Sequence, residues 1–457
     1  MGSPVRDRGI TIAAAGSAMF QTRLRTVQDP GLHSLFDVLR SADVGLLNLE
    51  APIRDVDAHP VKQVYTSYVT SEPWVTEELT WGGVNMVSLA NNHMSDWSAS
   101  SIATNQRLLD EAGIAWAGAG RTLAAARAPG YLDTPQGRVG LIAVDSSYEY
   151  GQYYQVQMGA DPHGDVPGRP GTSGLRWDTT YVLDPERFDR LREAHRALGL
   201  HREGMEITHL AERRPTPDSF LFRGVTILRG RTPGVRTACR PVDLDQVVRW
   251  IRGTRSQVDY LVVSHHNHQA AGTEWELPAD FTREFAHAAV DAGADVYIGH
   301  GYTPKGVELY RGKVICYDIG DWSTQDAAAR WHPADAYERW GLDPGATPGD
   351  FATARERARA EARDAFAGTE FGDQVKAYSA AVGQSAVVRI TFDEDRVSGV
   401  ELHPSLPRAD ARRHLRNLPT RAVGEAAERV VGRFAAASAP LGTKIDHRDG
   451  VGHVVLH

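Results

Sequence analysis

The chain has 457 residues, 42% of them hydrophobic and 24% charged, an ordinary make-up for a folded protein with a sizeable core. A net charge of -8 argues against a broad nucleic-acid-binding face, and two cysteines, Cys239 and Cys316, are too few for a disulfide framework. No apolar run reaches the roughly 18 residues a membrane span needs, so the expected location is the cytoplasm, with neither membrane nor nucleic acid as partner.

The first apolar run, Gly9–Ala15, ends at Gly16-Ser17 and reads as a strand. The stretch Ile10–Ala18 superficially resembles a signal sequence with a small-residue cleavage site, but it is short and follows Asp7 as well as two arginines. His33–Ala42 carries Leu35, Phe36, Val38 and Leu39 on a helical face and leads to a second strand, Val44–Leu47, ending at Asn48-Leu49-Glu50. Ala51–Pro73 reads as loop, with Lys62, Tyr65 and Tyr68 available to line a cleft. Glu72–Trp81 is a short helix before the run Val84–Ala90, which ends at Asn91-Asn92-His93. Ser98–Ala112 is a helix closed by Gly113, and Arg138–Val144 is a strand ending in Asp145-Ser146-Ser147.

From Tyr148 the character changes. An aromatic, polar stretch (Tyr148–Tyr154), a stiff turn (Gly168–Gly171), a helix (Pro185–Leu198) and loops rich in Arg, Pro and Thr read as an inserted cap over 148–240. Amphipathic Asp243–Arg255 then leads into Tyr260–Ser264, which breaks into His265-His266-Asn267-His268. Leu277–Ala292 is the crossover helix to Ala294–Ile298, which ends at Gly299-His300. Gly306–Tyr310 and Lys313–Tyr317 form a hairpin, followed by Asp318 and Asp321 in a turn-like run. Residues 326–382 read as a helical insertion, with a proline-rich patch and then a charged helix. In 383–457 a hairpin, Gln384–Phe392 with Arg396–Leu402, and a helix, Gly424–Ala437, complete a core made of 1–147 and 241–325.

Five short apolar runs ending in coordinating residue types, separated by helices, describe an α/β sheet whose carboxyl edge gathers one polar site. Imidazole, carboxylate and amide oxygen at such an edge are ligand types for zinc-like metals. Adjacent residues of a strand point to opposite sides, so only some of His265, His266 and His268 can converge.

The blocks Asn48-Leu49-Glu50, Leu89–His93, Gly168–Gly171, the histidine strand, Gly293–Asp295 with Gly299-His300, and Val314–Asp321 together resemble the CapA family of poly-γ-glutamate capsule biosynthesis proteins. The resemblance implies a calcineurin-like metallophosphoesterase fold, a four-layer α/β/β/α sandwich. It implies metal ligands at Glu50 (bridging), Asn92, His266 and His300, with His93 as general acid oriented by Asp96. Where the family has Asp, this chain has Ser17, and where the family has a second histidine after Gly-His it has Thr303; Met19 stands where the wider fold has a histidine, as the family also tends to have. One divalent ion (Mn, Zn or Fe) is therefore expected. The other position is empty or rebuilt from residues such as His265, His268 or Asp321. Lys305, Arg169 and Arg223 are candidate contacts for a small anionic substrate. Three functions follow: a metal-dependent hydrolase on a phosphorylated or amide-bearing substrate, a non-hydrolytic component assisting a γ-glutamyl (amide) ligase partner, or a degenerate homologue that binds without turnover.

Overall fold

The computed structural model describes residues 9–61, 68–147, 157–201, 216–222, 225–408 and 412–456. Two sheets lie face to face. At the centre of the larger, ten-stranded sheet Thr11–Met19, Val44–Leu49 and Met86–Ser88 run parallel, and Ser385–Asp393 flanks Thr11–Met19 antiparallel. The smaller, six-stranded sheet is centred on Gly137–Asp145, Tyr260–His266 and Val296–His300, also parallel.

Alternation of side chains along these strands sets the layers. Ile12, Ala14, Leu46 and Met86 from one sheet meet Leu141, Ala143, Val262 and Ile298 from the other in a single core. The residues between them face outward. Ala13, Leu47 and Val87 pack with Leu35, Leu79 and Ile102 of the helices Pro30–Arg40, Val75–Trp81 and Ser100–Glu111. On the far side Val144, Leu261 and Val263 pack with Val247 and Ile251 of Pro241–Arg255 and with Phe281 and Phe285 of Asp280–Asp291. The result is the expected α/β/β/α sandwich. Burial on both faces explains why the central strands read as unbroken apolar runs rather than alternating ones.

The tail helix, Glu425–Ser438, sends Val430, Val431 and Phe434 into the core between the sheets. The hairpin after it, Ile445–Arg448 with Val451–Val454, extends the larger sheet past Arg396–Pro407. Within 177–239, where the sequence suggests loops around one helix, a four-stranded sheet forms. Its order is Ser219–Phe222, Val225–Arg229, Trp177–Leu183, Gly234–Cys239, and Pro185–Ala197 packs on it through Phe188. In 326–382 there are three helices rather than one, Ala334–Arg339, Pro348–Ala365 and Glu370–Ala381. Among the described residues no helix is long and apolar enough to cross a membrane.

One buried carboxylate ties the first connection to the sandwich. Glu78 accepts the Leu24 and Arg25 backbone N–H groups at 2.9 and 3.0 Å and the Arg25 Nε–H at 3.0 Å. Glu78→Ala is expected to cost about 2–3 kcal/mol in urea unfolding, because the buried Leu24 N–H and the part-buried Arg25 N–H lose a charged acceptor. A loss within the error of the wild-type curve would contradict this.

Candidate metal centre

The polar site forms where strand ends of the two sheets meet. In the smaller sheet His266 is in register with Asp145 on one side and His300 on the other. In the larger sheet Ser17 is in register with both Asn48 and Asp321. Two glycines allow the approach. A Cβ on Gly16 would lie 1.8 Å from the Gly320 carbonyl oxygen, and one on Gly299 would lie 1.9 Å from that of Tyr317. Any other residue at either position would push a neighbouring strand away from the site.

His266 is the hub. Its Nε2 stands 3.0 Å from Asn92 Oδ1 and 3.5 Å from Glu50 Oε1. Its Nδ1 stands 3.1 Å from His300 Nδ1 and 3.3 Å from Ser17 Oγ. Glu50, His266 and His268 each offer a ligand atom within 4.8 Å of the others. His300 lies on the Ser17 side, its Nδ1 3.4 Å from Ser17 Oγ and its Nε2 fixed by Ser264 Oγ at 2.8 Å. Behind these the amides form a chain: Asn91 donates to Asn48 Oδ1 at 3.2 Å, and Asn48 donates to Ser17 Oγ at 3.1 Å.

His93, next to Asn92 in sequence, turns its Nδ1 to Asp96 Oδ2 at 2.7 Å. Burial works against its charge, but Asp96 first and then Glu50 outweigh it, and the pKa rises to about 9. Burial pushes Glu50 up to about 7, aided by Asp145 and Asp96 and opposed by His93 and the Ser17 hydroxyl. Burial also lifts Asp321 well above the carboxylate range, with Glu50 and Asp318 adding repulsion. His266 and His268 are pushed well below the usual imidazole range, and His300 falls to about 3.

A divalent ion fits this set. Neutral imidazoles keep a lone pair for a metal. Glu50 Oε2 and Asp321 Oδ1 are buried with no hydrogen-bond partner among the described residues. Unsatisfied buried carboxylate oxygens are costly, and a cation beside them removes that cost.

Several residues singled out by sequence stand elsewhere. His265 faces the helix layer, with Nε2 on Ser146 Oγ at 2.7 Å, Nδ1 on the Tyr297 hydroxyl and its ring edge-on to Phe285, so both its nitrogens are used away from the site. Lys305 is a buried partner of Asp318 at 2.6 Å rather than a cation open to substrate. Arg169 is exposed and donates to the Met158 carbonyl at 3.3 Å. Asp321 opens a strand beside Thr11–Met19 rather than a turn, whereas Asp318 does accept the Gly320 N–H at 2.9 Å. Thr303 donates to the Trp275 carbonyl at 3.4 Å. Lys62, Tyr65, Tyr148–Tyr154 and Arg223 lie outside the described residues.

Two polar residues near the site are not among the candidate site residues of the sequence. Asp145 ends a buried strand beside His266, and the rule that picked out the other strand ends would have found it. Gln157 had no signal. Its Oε1 accepts the Ser95 N–H at 2.7 Å, and its amide donates to the Asn92 carbonyl and to Asp96 Oδ1, the latter at 3.3 Å.

A family model described as bacterial capsule synthesis protein PGA_cap matches residues 11–325. A Sinorhizobium fredii protein called y4sH is 30% identical over 454 residues, 98% of this chain and 93% of that protein. A "probable polyglutamine synthesis accessory protein" of Mycobacterium tuberculosis is 26% identical over 292 residues, 62% of this chain and 55% of its own length. The "PGA biosynthesis protein CapA" of Bacillus subtilis is 34% identical over 91 residues, 20% of this chain and 22% of that protein.

Proposed function

This chain belongs to the bacterial capsule synthesis protein PGA_cap family, and from that premise we propose that it is a metal-dependent hydrolase acting on a small anionic substrate in a biosynthetic pathway. The bond it breaks is phosphoryl or amide. The observation that carries this is the pair of buried carboxylate oxygens, on Glu50 and Asp321, that have no hydrogen-bond partner among the described residues and lie beside imidazoles held neutral. Glu50, Asn92, His266 and His268, with His300 and Asp321 close by, would hold one ion of manganese, zinc or iron. Such an ion supplies Lewis acidity toward a phosphoryl or carbonyl oxygen.

The chain's own residues supply the proton. With a pKa near 9, His93 is protonated at neutral pH, and its Nδ1–H is anchored on Asp96. That leaves the Nε2–H to pass to a leaving group while Asp96 steadies the cation. Turnover of p-nitrophenyl phosphate and bis-p-nitrophenyl phosphate by the manganese-, zinc- and iron-loaded protein tests the hydrolase reading. Asp96→Asn is expected to lower kcat by about 10- to 100-fold, the lower part of the range for general acid catalysis, at unchanged metal content. Equal rates in both proteins would remove His93 from the mechanism.

A second reading has its own support. Ser17 stands where the family resemblance places a carboxylate, and its hydroxyl is taken up by Asn48 and two histidines. Relatives carry names tied to polymer synthesis and, in one case, to an accessory role. In this reading the ion and its cleft bind the substrate or product of an ATP-dependent ligase that makes γ-glutamyl-type amide bonds. Co-purification with a ligase and silence of the isolated chain would favour it; full turnover by the isolated chain would exclude it.

A further inference from the structure

A second concentration of charge lies outside the Glu50–His266 cluster. Asp243, Gln246 and Trp250 share one face of the helix Pro241–Arg255, at spacings of three and four. Against that face sits Arg127, the last residue of the short helix Leu123–Arg127 and only 2% exposed. Its Nη2 donates to Asp243 Oδ1 and to the Gly174 carbonyl, each at 3.2 Å, and its Nη1 donates to Gln246. Its Nε is buried without a hydrogen-bond partner among the described residues. Asp243 is shared, because Arg176 donates to it from Nε at 2.7 Å and Nη2 at 3.0 Å. One carboxylate thus serves two guanidinium groups, Arg127 and Arg176.

Arg127 borders a cavity of about 420 Å³ lined also by Gln246, Arg249, Trp250 and Asp161. Arg249 adds a further cation. Asp161, the one carboxylate in the lining, accepts the Ala124 N–H at 2.7 Å. The volume is in the range of small-ligand sites, and one aromatic wall with convergent polar groups is their usual lining. We infer that this cavity is a second ligand site, taking a small carboxylate- or phosphate-bearing anion on Arg127, Arg249 and Gln246 with Trp250 as its apolar wall. Guanidinium forks match both kinds of oxyanion, which is why the chemistry names the class rather than one ligand.

The full chain is titrated with inorganic phosphate and, separately, with succinate at constant ionic strength, read by calorimetry and tryptophan fluorescence against a chloride control. Saturable binding of one anion per chain is expected. Arg249→Glu, a surface change, should weaken it by at least about tenfold, the worth of one charge-assisted bond. His266→Ala should leave it unchanged. A preference for phosphate or for succinate identifies the ligand's anionic group, and either supports the site. Signals no different from chloride, full binding by Arg249→Glu, or loss of binding in His266→Ala would each overturn it.

Discussion

His266→Ala is expected to weaken divalent-ion binding by more than about 100-fold, beyond the 10- to 100-fold typical of losing an outer partner of a metal ligand. The reason is where the side chain stands. Its Nε2 is the point on which Asn92 Oδ1 and Glu50 Oε1 converge, at 3.0 and 3.5 Å, and its other nitrogen meets His300 and Ser17. Removing the ring takes away a ligand and also the spacer that holds the two sheets' polar ends at ligand distance. Burial keeps the imidazole neutral, so the loss is of a donor and not of a charge. Competition titration against a chelating dye reads the affinity, and thermal unfolding checks that the sandwich is intact. Unchanged affinity in a folded variant would mean that no ion is held here by His266.

Lys305→Ala is expected to destabilise the fold by about 3–5 kcal/mol, the cost of stranding one partner of a buried ion pair. Lys305 Nζ lies 2.6 Å from Asp318 Oδ2, and both side chains are essentially inaccessible to water. Burial already lifts the Asp318 pKa, and Lys305 is the first counterweight, followed by the Gly320 and Gly301 N–H groups. Without Lys305 the carboxyl must stay charged and unpaired or take up a proton. The double variant Lys305→Met with Asp318→Asn should recover most of the loss, because replacing both partners removes the stranded charge. Urea unfolding of the two variants side by side checks this. A single-variant loss under about 1 kcal/mol, the worth of a surface pair, would show that water reaches the pair.

Lys305 also shows where reading from sequence stops. A lysine after a strand end looks like a cation for an anionic substrate, and only the packing reveals that Asp318 has taken it. The histidine strand makes the same point through parity. Period two says that His265 and His266 point to opposite faces, but not which face meets the other sheet. Val262 lies in the core between the sheets, so His266 follows it there; Leu261 and Val263 lie under helices, and His265 goes with them. The strand ends carrying Glu50, Asn92 and His300 were legible because each closes an apolar run abruptly. Asp321 was not, since Asp318-Ile319-Gly320-Asp321 has the composition of a turn while its backbone pairs beside Ser17. Gln157 belongs to no periodic pattern, and its role exists only through its contacts with Asn92, Ser95 and Asp96 in the folded chain. The sheet within 177–239 was hidden because its strands are short and carry Arg and Thr on half-exposed faces.

Elemental analysis of the purified protein, joined to an anomalous-scattering map at the absorption edge of the metal found, tests the metal centre most directly. One ion per chain is predicted, within about 2.0–2.3 Å of Glu50, Asn92 and His266 atoms. No ion in that cluster, or two ions each with a full set of ligands, would contradict the single site described above.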